Sequence, residues 1–345
     1  MTVLLVLLVL LVAASGLAYA IFKRDMARAY RHVTGETQIF ISDCGPVEYA
    51  LRGGGQTILL VHGAGGGFDQ ALSIGQPFLS AGYRVLAPSR FGYLRSAFPA
   101  DPSPARQADV LAQLVRHLDL GPVVVVGVSA GAHSALELAL RHPGILDALI
   151  LIVPSAYHPG KTSAAPHLGR LADAIVRRAF RSNFLLWAGI RIAPHVLTRA
   201  ILATDPALVA RQPVVEQQRI KQMLWQILPV SLRSEGILAD ANTAASLGPC
   251  ALEQISARTL TISAEDDLYG TYASARYVAE HVQRGQFVGF LTGGHMLAGK
   301  TVEMGQAVMR FLKTPNGLTN PDVGRDVQPI KRGYQQPQNL GVQLR

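Results

Sequence analysis

Cysteine is nearly missing from this chain: Cys44 and Cys250, far apart, are the only two in 345 residues. That excludes a disulfide framework and fits a fold that does not depend on oxidation. No Cys-x-x-Cys or His-Glu-x-x-His run occurs, so neither a structural nor a catalytic metal has support in the sequence. Charge is also sparse, at 16% of residues against 49% hydrophobic. A large buried core is therefore affordable, although part of the apolar excess is concentrated in one terminal segment. There is no internal repeat.

The charge that is present is unevenly placed. Of a net +9, the stretch from Pro154 to Arg233 carries eleven Lys and Arg against Asp173, Asp205 and Glu216, a net of +8. A nucleic-acid surface is one reading of such a stripe, but it has neither aromatic interleaving nor a reading motif, so no nucleic-acid partner is expected. Proximity to an anionic membrane surface accounts for it as well.

Residues Val3 to Phe22 carry no charge and consist mostly of Val, Leu and Ala. A helix of that length, at about 1.5 Å per residue, matches the ~30 Å hydrocarbon core of a bilayer. Lys23, Arg24, Arg28 and Arg31 follow directly. A cleavable signal peptide competes, since Ala18-Tyr19-Ala20 resembles a cleavage site. However, no basic residue precedes the apolar run, and the positive cluster after it favours retention of that side in the cytoplasm. The expectation is a membrane anchor over residues 3–22 with the folded part cytoplasmic, export after cleavage being the alternative. A buried core helix is the third reading.

Further on, Gln38 to Ile41 and Val47 to Leu51 read as a hairpin, and Thr57 to Val61 as a strand buried on both faces. A helix from Gln70 to Ala81, a strand from Arg84 to Ala87, a helix from Pro104 to Leu118 and the strand Val123 to Val126 follow. A helix then runs through His142, before a strand from Ala148 to Val153. From Pro154 to Gly248 the pattern is helical, with Phe184, Leu185, Leu186, Trp187, Leu224, Trp225 and Leu228 on apolar faces. Strands return at Thr259–Ser263 and Gln286–Leu291, with helices at Thr271–His281 and Ala298–Leu312. Such alternation predicts an α/β fold, a parallel sheet with helices on both faces, interrupted by a basic helical insertion. From Lys313 the chain reads as a flexible tail.

A serine hydroxyl needs a base, a group to orient that base, and donors for the oxyanion. Gly127-Val128-Ser129-Ala130-Gly131 lies between a buried strand and a helix, the context of a nucleophile elbow, which makes Ser129 the candidate nucleophile. After an earlier strand comes His62-Gly63-Ala64-Gly65-Gly66-Gly67, where the amide of Ala64 or of Gly65 can join that of Ala130 on an oxyanion. The run lacks the spacing of a phosphate loop. His62 is read as a hydrogen-bonded loop residue rather than the base. For the acid, Asp267 is preferred and Asp266 held in reserve, Glu265 and Asp266 otherwise being a solvated turn. The base is His295, in Gly293-Gly294-His295-Met296, which completes the order Ser, Asp, His. His281 competes, but it lies in a helical pattern.

With these residues assembled, the sequence resembles the α/β-hydrolase superfamily. The matching pieces are His62-Gly63 with its glycines, Ser89-Arg90-Phe91-Gly92-Tyr93, the Ser129 elbow, Asp267 and Gly294-His295, from about Val47 to Leu312. The resemblance implies an eight-stranded, mostly parallel sheet with a helical cap. The corresponding division is a core of residues 38–153 and 249–312, a cap of 154–248, a basic juxtamembrane stretch of 23–37 and a tail of 313–345. Members that open epoxides or displace halide carry Asp where Ser129 stands, so those reactions are not expected. The expected activity is serine-dependent hydrolysis of an ester-like acyl substrate, small or lipid-like, without a cofactor. Carbon–carbon bond hydrolysis by the same triad and a non-catalytic, membrane-tethered binding protein are the alternatives.

Overall fold

The computed structural model describes residues 2–160, 178 and 180–314. Eight strands form one sheet: β1 (Gln38–Ser42), β2 (Gly45–Arg52), β3 (Thr57–Val61), β4 (Arg84–Pro88), β5 (Val123–Val128), β6 (Leu146–Ile152), β7 (Arg258–Ala264) and β8 (Gly285–Phe290). Their spatial order is β1-β2-β4-β3-β5-β6-β7-β8. β2 runs antiparallel to both β1 and β4, and every pairing from β4 to β8 is parallel. The eight-stranded, mostly parallel sheet anticipated from the sequence is present.

Eleven helices are named here in chain order among the described residues. α1 is Thr2–Val33, α2 Phe68–Ser80, α3 Pro104–His117 and α4 Gly131–Arg141. In the insertion lie α5 (Asn183–Ile192), α6 (Pro194–Ile201), α7 (Pro206–Ala210), α8 (Val214–Trp225) and α9 (Ser234–Ala245), and the chain returns to the core with α10 (Thr271–His281) and α11 (Thr301–Lys313).

β5 shows why helices cover both faces. Side chains alternate across a strand, so Val123 and Val125 enter a cluster with Leu111, Leu114 and Leu138 of α3 and α4. Val124 and Val126 enter the opposite cluster with Phe68, Ala71 and Phe78 of α2 and Phe311 of α11. All four valines are fully buried. A polar residue at any of them would lose its hydration without a partner, which explains the unbroken apolar run.

α11 begins at Thr301 rather than at Ala298. Leu297 and Gly299 have φ of 48° and 73°, and these left-handed residues keep the chain in a turn through Lys300. α1 is one helix through the apolar run and the basic stretch alike. An 18-residue window of it meets the length and composition needed to cross a membrane, and none of that window is buried against the protein. The core-helix reading therefore fails for this segment. Lys161, Arg170, Asp173 and Arg177, like the tail from residue 315, lie outside the described residues.

Candidate active site

All three candidate triad residues follow parallel strands at the carboxyl edge of the sheet: Ser129 after β5, Asp267 after β7 and His295 after β8. Ser129 sits in the left-handed region at φ 51°, a conformation that costs a non-glycine residue energy and persists only where its surroundings hold it. Its N–H donates to the Ile152 carbonyl at 2.9 Å, and its own carbonyl accepts from Ala132 and Ser155 at 3.0 and 3.1 Å. Gly131 permits the sharp turn: a Cβ there would stand 2.3 Å from the Val61 carbonyl oxygen, a backbone atom that cannot move aside.

The Ser129 hydroxyl donates to His295 Nε2 at 2.9 Å, and His295 Nδ1–H donates to Asp267 Oδ2 at 2.8 Å. The carboxylate partner fixes this tautomer. Asp267 also accepts from the Thr271 hydroxyl and, at 2.8 Å, from the Tyr269 N–H. Burial pushes the Asp267 carboxyl up, but the neighbouring His295 and these donors outweigh it and hold the group below the ordinary carboxylate range. The Tyr269 ring packs edge-on against His295 at 4.9 Å.

Asp266 has a different place from the one expected. Rather than a solvated turn or a spare acid, its Oδ1 accepts the Gly294 N–H at 2.7 Å, so it ties the base-bearing loop to the acid-bearing one. Glu265 is exposed. Gly294 is required where it stands, with φ 59° and a site in which a Cβ would approach Thr204 Cγ2 to 2.6 Å. Thr204 belongs to the helical insertion, and its hydroxyl accepts from the Met296 N–H at 3.0 Å. Ala203 takes the N–H groups of Leu268 and His295 at 3.1 and 3.3 Å. The insertion thus packs directly on both loops. His281 lies on α10, where its ring bonds the Tyr277 carbonyl of its own helix.

Next to Ser129 runs the glycine-rich loop. His62 is fully buried; its Nδ1–H donates to the Gly63 carbonyl at 2.8 Å, and its Nε2 accepts the Arg90 N–H at 2.9 Å. Burial and then the Arg90 charge push its pKa well down, so it is a neutral structural imidazole. The Gly65 N–H donates to the Tyr93 hydroxyl at 3.3 Å. Among the described residues no protein acceptor takes the N–H of Ala64 or Ala130.

Two buried ion pairs that local sequence patterns did not reveal fasten this loop to the insertion. Asp240 on α9 accepts both terminal nitrogens of Arg90, at 2.7 and 2.6 Å, and the Tyr93 hydroxyl at 2.5 Å. Burial alone would lower the Arg90 pKa, but the Asp240 charge more than reverses that. Arg233, just before α9, donates to both oxygens of Asp69, at 3.1 and 2.8 Å, and to the Gly66 carbonyl. Arg233 is fully buried, so the basic stretch is not wholly a surface stripe. The one available signal was Arg90 and Tyr93 in the Ser89–Tyr93 motif; nothing local marked Asp69, Arg233 or Asp240.

Residues 56–299 match the family model described as alpha/beta hydrolase fold. Among known proteins, the uncharacterized hydrolase YcgS of Bacillus subtilis is 23% identical over 79% of this chain and 96% of its own length. A 2-hydroxy-6-oxononadienedioate/2-hydroxy-6-oxononatrienedioate hydrolase of Paraburkholderia xenovorans is 26% identical over 68% of this chain and 76% of its own. Among solved structures, an esterase from Exiguobacterium antarcticum superposes with a TM-score of 0.61 at 17% identity, over 81% of this chain and all of that one.

Proposed function

This chain belongs to the α/β-hydrolase fold family, and we propose that it is a serine hydrolase that cleaves an ester-like acyl substrate through an acyl-enzyme on Ser129. The observation that carries the reading is the unbroken chain of hydrogen bonds from Asp267 through His295 to the Ser129 hydroxyl. His295 Nε2 takes the proton as Ser129 Oγ attacks the carbonyl carbon, and the buried Asp267 carboxylate stabilises the imidazolium that forms. The amides of Ala130 and Ala64 receive the oxyanion, helped by the amino terminus of α4. His295 passes its proton to the leaving alcohol, and water then repeats the sequence to release the acid. No step requires a metal or an organic cofactor.

The apolar helix α1 supports attachment to a membrane, with the basic residues after it favouring a cytoplasmic catalytic part. A cleaved signal is the competing reading, and the size of the mature protein in a membrane fraction separates the two. Attachment there, and the apolar insertion above the site, favour a lipophilic acyl group.

The test is hydrolysis of p-nitrophenyl esters of increasing chain length. The expected result is a burst of p-nitrophenol stoichiometric with enzyme, absent in Ser129→Ala. A folded protein with no turnover of any chain length contradicts the reading and favours the binding-protein alternative. A second reading, carbon–carbon bond hydrolysis by the same triad, takes support from the likeness to the Paraburkholderia hydrolase. Turnover of a 2-hydroxy-6-oxo-dienedioate in preference to esters distinguishes it.

A further inference from the structure

Within the insertion, α5 to α8 line a half-open cavity of about 480 Å³ that none of the triad residues lines. Its volume falls within the roughly 300–1,000 Å³ usual for ligand pockets. Apolar wall is supplied by Ile190, Leu224 and Trp225, among others, and cationic wall by Arg191 and Lys221, with His195 also lining it. No Asp or Glu lines it. Lys221 is exposed and makes no ion pair among the described residues. A cavity that combines apolar surface with the Lys221 ammonium, which no carboxylate pairs among the described residues, is complementary to an amphiphile with an anionic head.

α1 determines where that cavity stands. The helix continues unbroken past the apolar run, and Phe22, the last residue of that run, packs edge-on against Phe184 and Trp187 of α5 at 5.3 Å each. One turn on, Asp25 accepts from Trp187 Nε1 at 3.0 Å and pairs with Arg191. Asp25 lies only about 4.5 Å along the helix axis beyond Phe22, so α5 is held at the level where the apolar run ends. Arg191 also spans the two features, since its guanidinium lies 5.1 Å from the centre of the Trp225 ring in the cavity wall. Nearby, Ile192, Val196, Val214 and Val215 are exposed, an apolar fringe on a basic surface.

We propose that this cavity takes an acyl chain of an anionic phospholipid from the bilayer that holds α1, its headgroup on Lys221. The inference rests on the membrane-anchor reading above. It does not depend on the triad. Bound lipid would fix the insertion, and with it Ala203 and Thr204 over the catalytic loops, against the membrane surface.

The chain has two tryptophans, Trp187 and Trp225; Trp187 holds α5 to α1 and is kept, so the emission that Trp225→Phe removes is that of the cavity wall. The full-length protein and its Trp225→Phe variant are each reconstituted in phosphatidylcholine vesicles containing phosphatidylglycerol, with bromine on the acyl chains of one lipid or the other at equal mole fraction. Flotation with the vesicles reports the anchor separately. The expected result is loss of most Trp225 emission when the glycerol lipid is brominated and much less loss when an equal fraction of the choline lipid is. Lys221→Glu should abolish that difference without changing flotation, and Ala210→Phe, which fills the cavity, should relieve the quenching. A floating protein whose Trp225 is not quenched, or is quenched equally by both lipids, overturns the proposal while leaving the anchor intact. Failure to float refutes the anchor and the proposal together.

Discussion

Replacing Asp240 with Leu removes the sole carboxylate from a buried cluster. Arg90 gives two hydrogen bonds to it and Tyr93 a third, and all three side chains are buried. After the substitution the Arg90 guanidinium keeps the His62 carbonyl, at 2.9 Å from Nε, as its acceptor. A buried charge stripped of its partner costs about 3–5 kcal/mol, and at roughly 2–4 °C per kcal/mol for domains somewhat smaller than this one, the midpoint should fall by about 6–20 °C. Thermal unfolding of the full chain in detergent at neutral pH, followed by circular dichroism, gives this directly. The double variant Arg90→Met/Asp240→Leu removes both charges and should recover most of the loss, because well-packed apolar replacement of a buried pair is often neutral or better. The Gly65 amide would still lose part of its support, since Tyr93 would no longer be held by Asp240. A single variant whose midpoint falls by less than about 3 °C, or a double variant no better than the single, refutes this view of how the loop is held.

Asp267→Asn should leave the fold intact and lower kcat by about 10⁴, roughly 5.5 kcal/mol of barrier, because an amide cannot stabilise the imidazolium; steady-state ester hydrolysis measures it. The same residue has a pH signature. Its folded pKa is depressed, so its contribution to stability is present above the unfolded value of about 3.9 and is lost as pH falls through the lower folded value. The midpoint difference between wild type and Asp267→Asn should accordingly shrink on acidification through that window, and a difference constant down to the acid limit contradicts the assignment. Gly294→Ala places a Cβ 2.6 Å from Thr204 Cγ2 on a backbone at φ 59°. It should cost about 1–3 kcal/mol by chemical denaturation and displace His295, with activity falling further than stability accounts for.

The sheet was legible because its signals are local. Four consecutive valines read as a strand covered on both faces, and the turn residues after β5, β7 and β8 mark where side chains leave the carboxyl edge. That is why Ser129, Asp267 and His295 were found in the sequence and meet within hydrogen-bond reach in space. What remained hidden depends on partners distant in the chain. Arg233 counted as one more basic residue until Asp69 took its charge into the interior, and Asp266 read as a turn until Gly294 used its carboxylate. That the Gly65 amide goes to the Tyr93 hydroxyl also depends on a partner from another strand end. Likewise, an unbroken apolar run can mark α1 as able to cross a membrane, but its docking through Phe22 and Asp25 onto α5 is a tertiary fact.

The most direct test of the central claim is labelling of the folded, full-length protein by a fluorophosphonate, with the modified residue located by mass spectrometry. The account predicts one adduct, on Ser129, suppressed in Ser129→Ala and strongly slowed in His295→Ala, where the hydroxyl has lost its base. Labelling that persists in folded Ser129→Ala, or a folded wild type that takes no label, contradicts it.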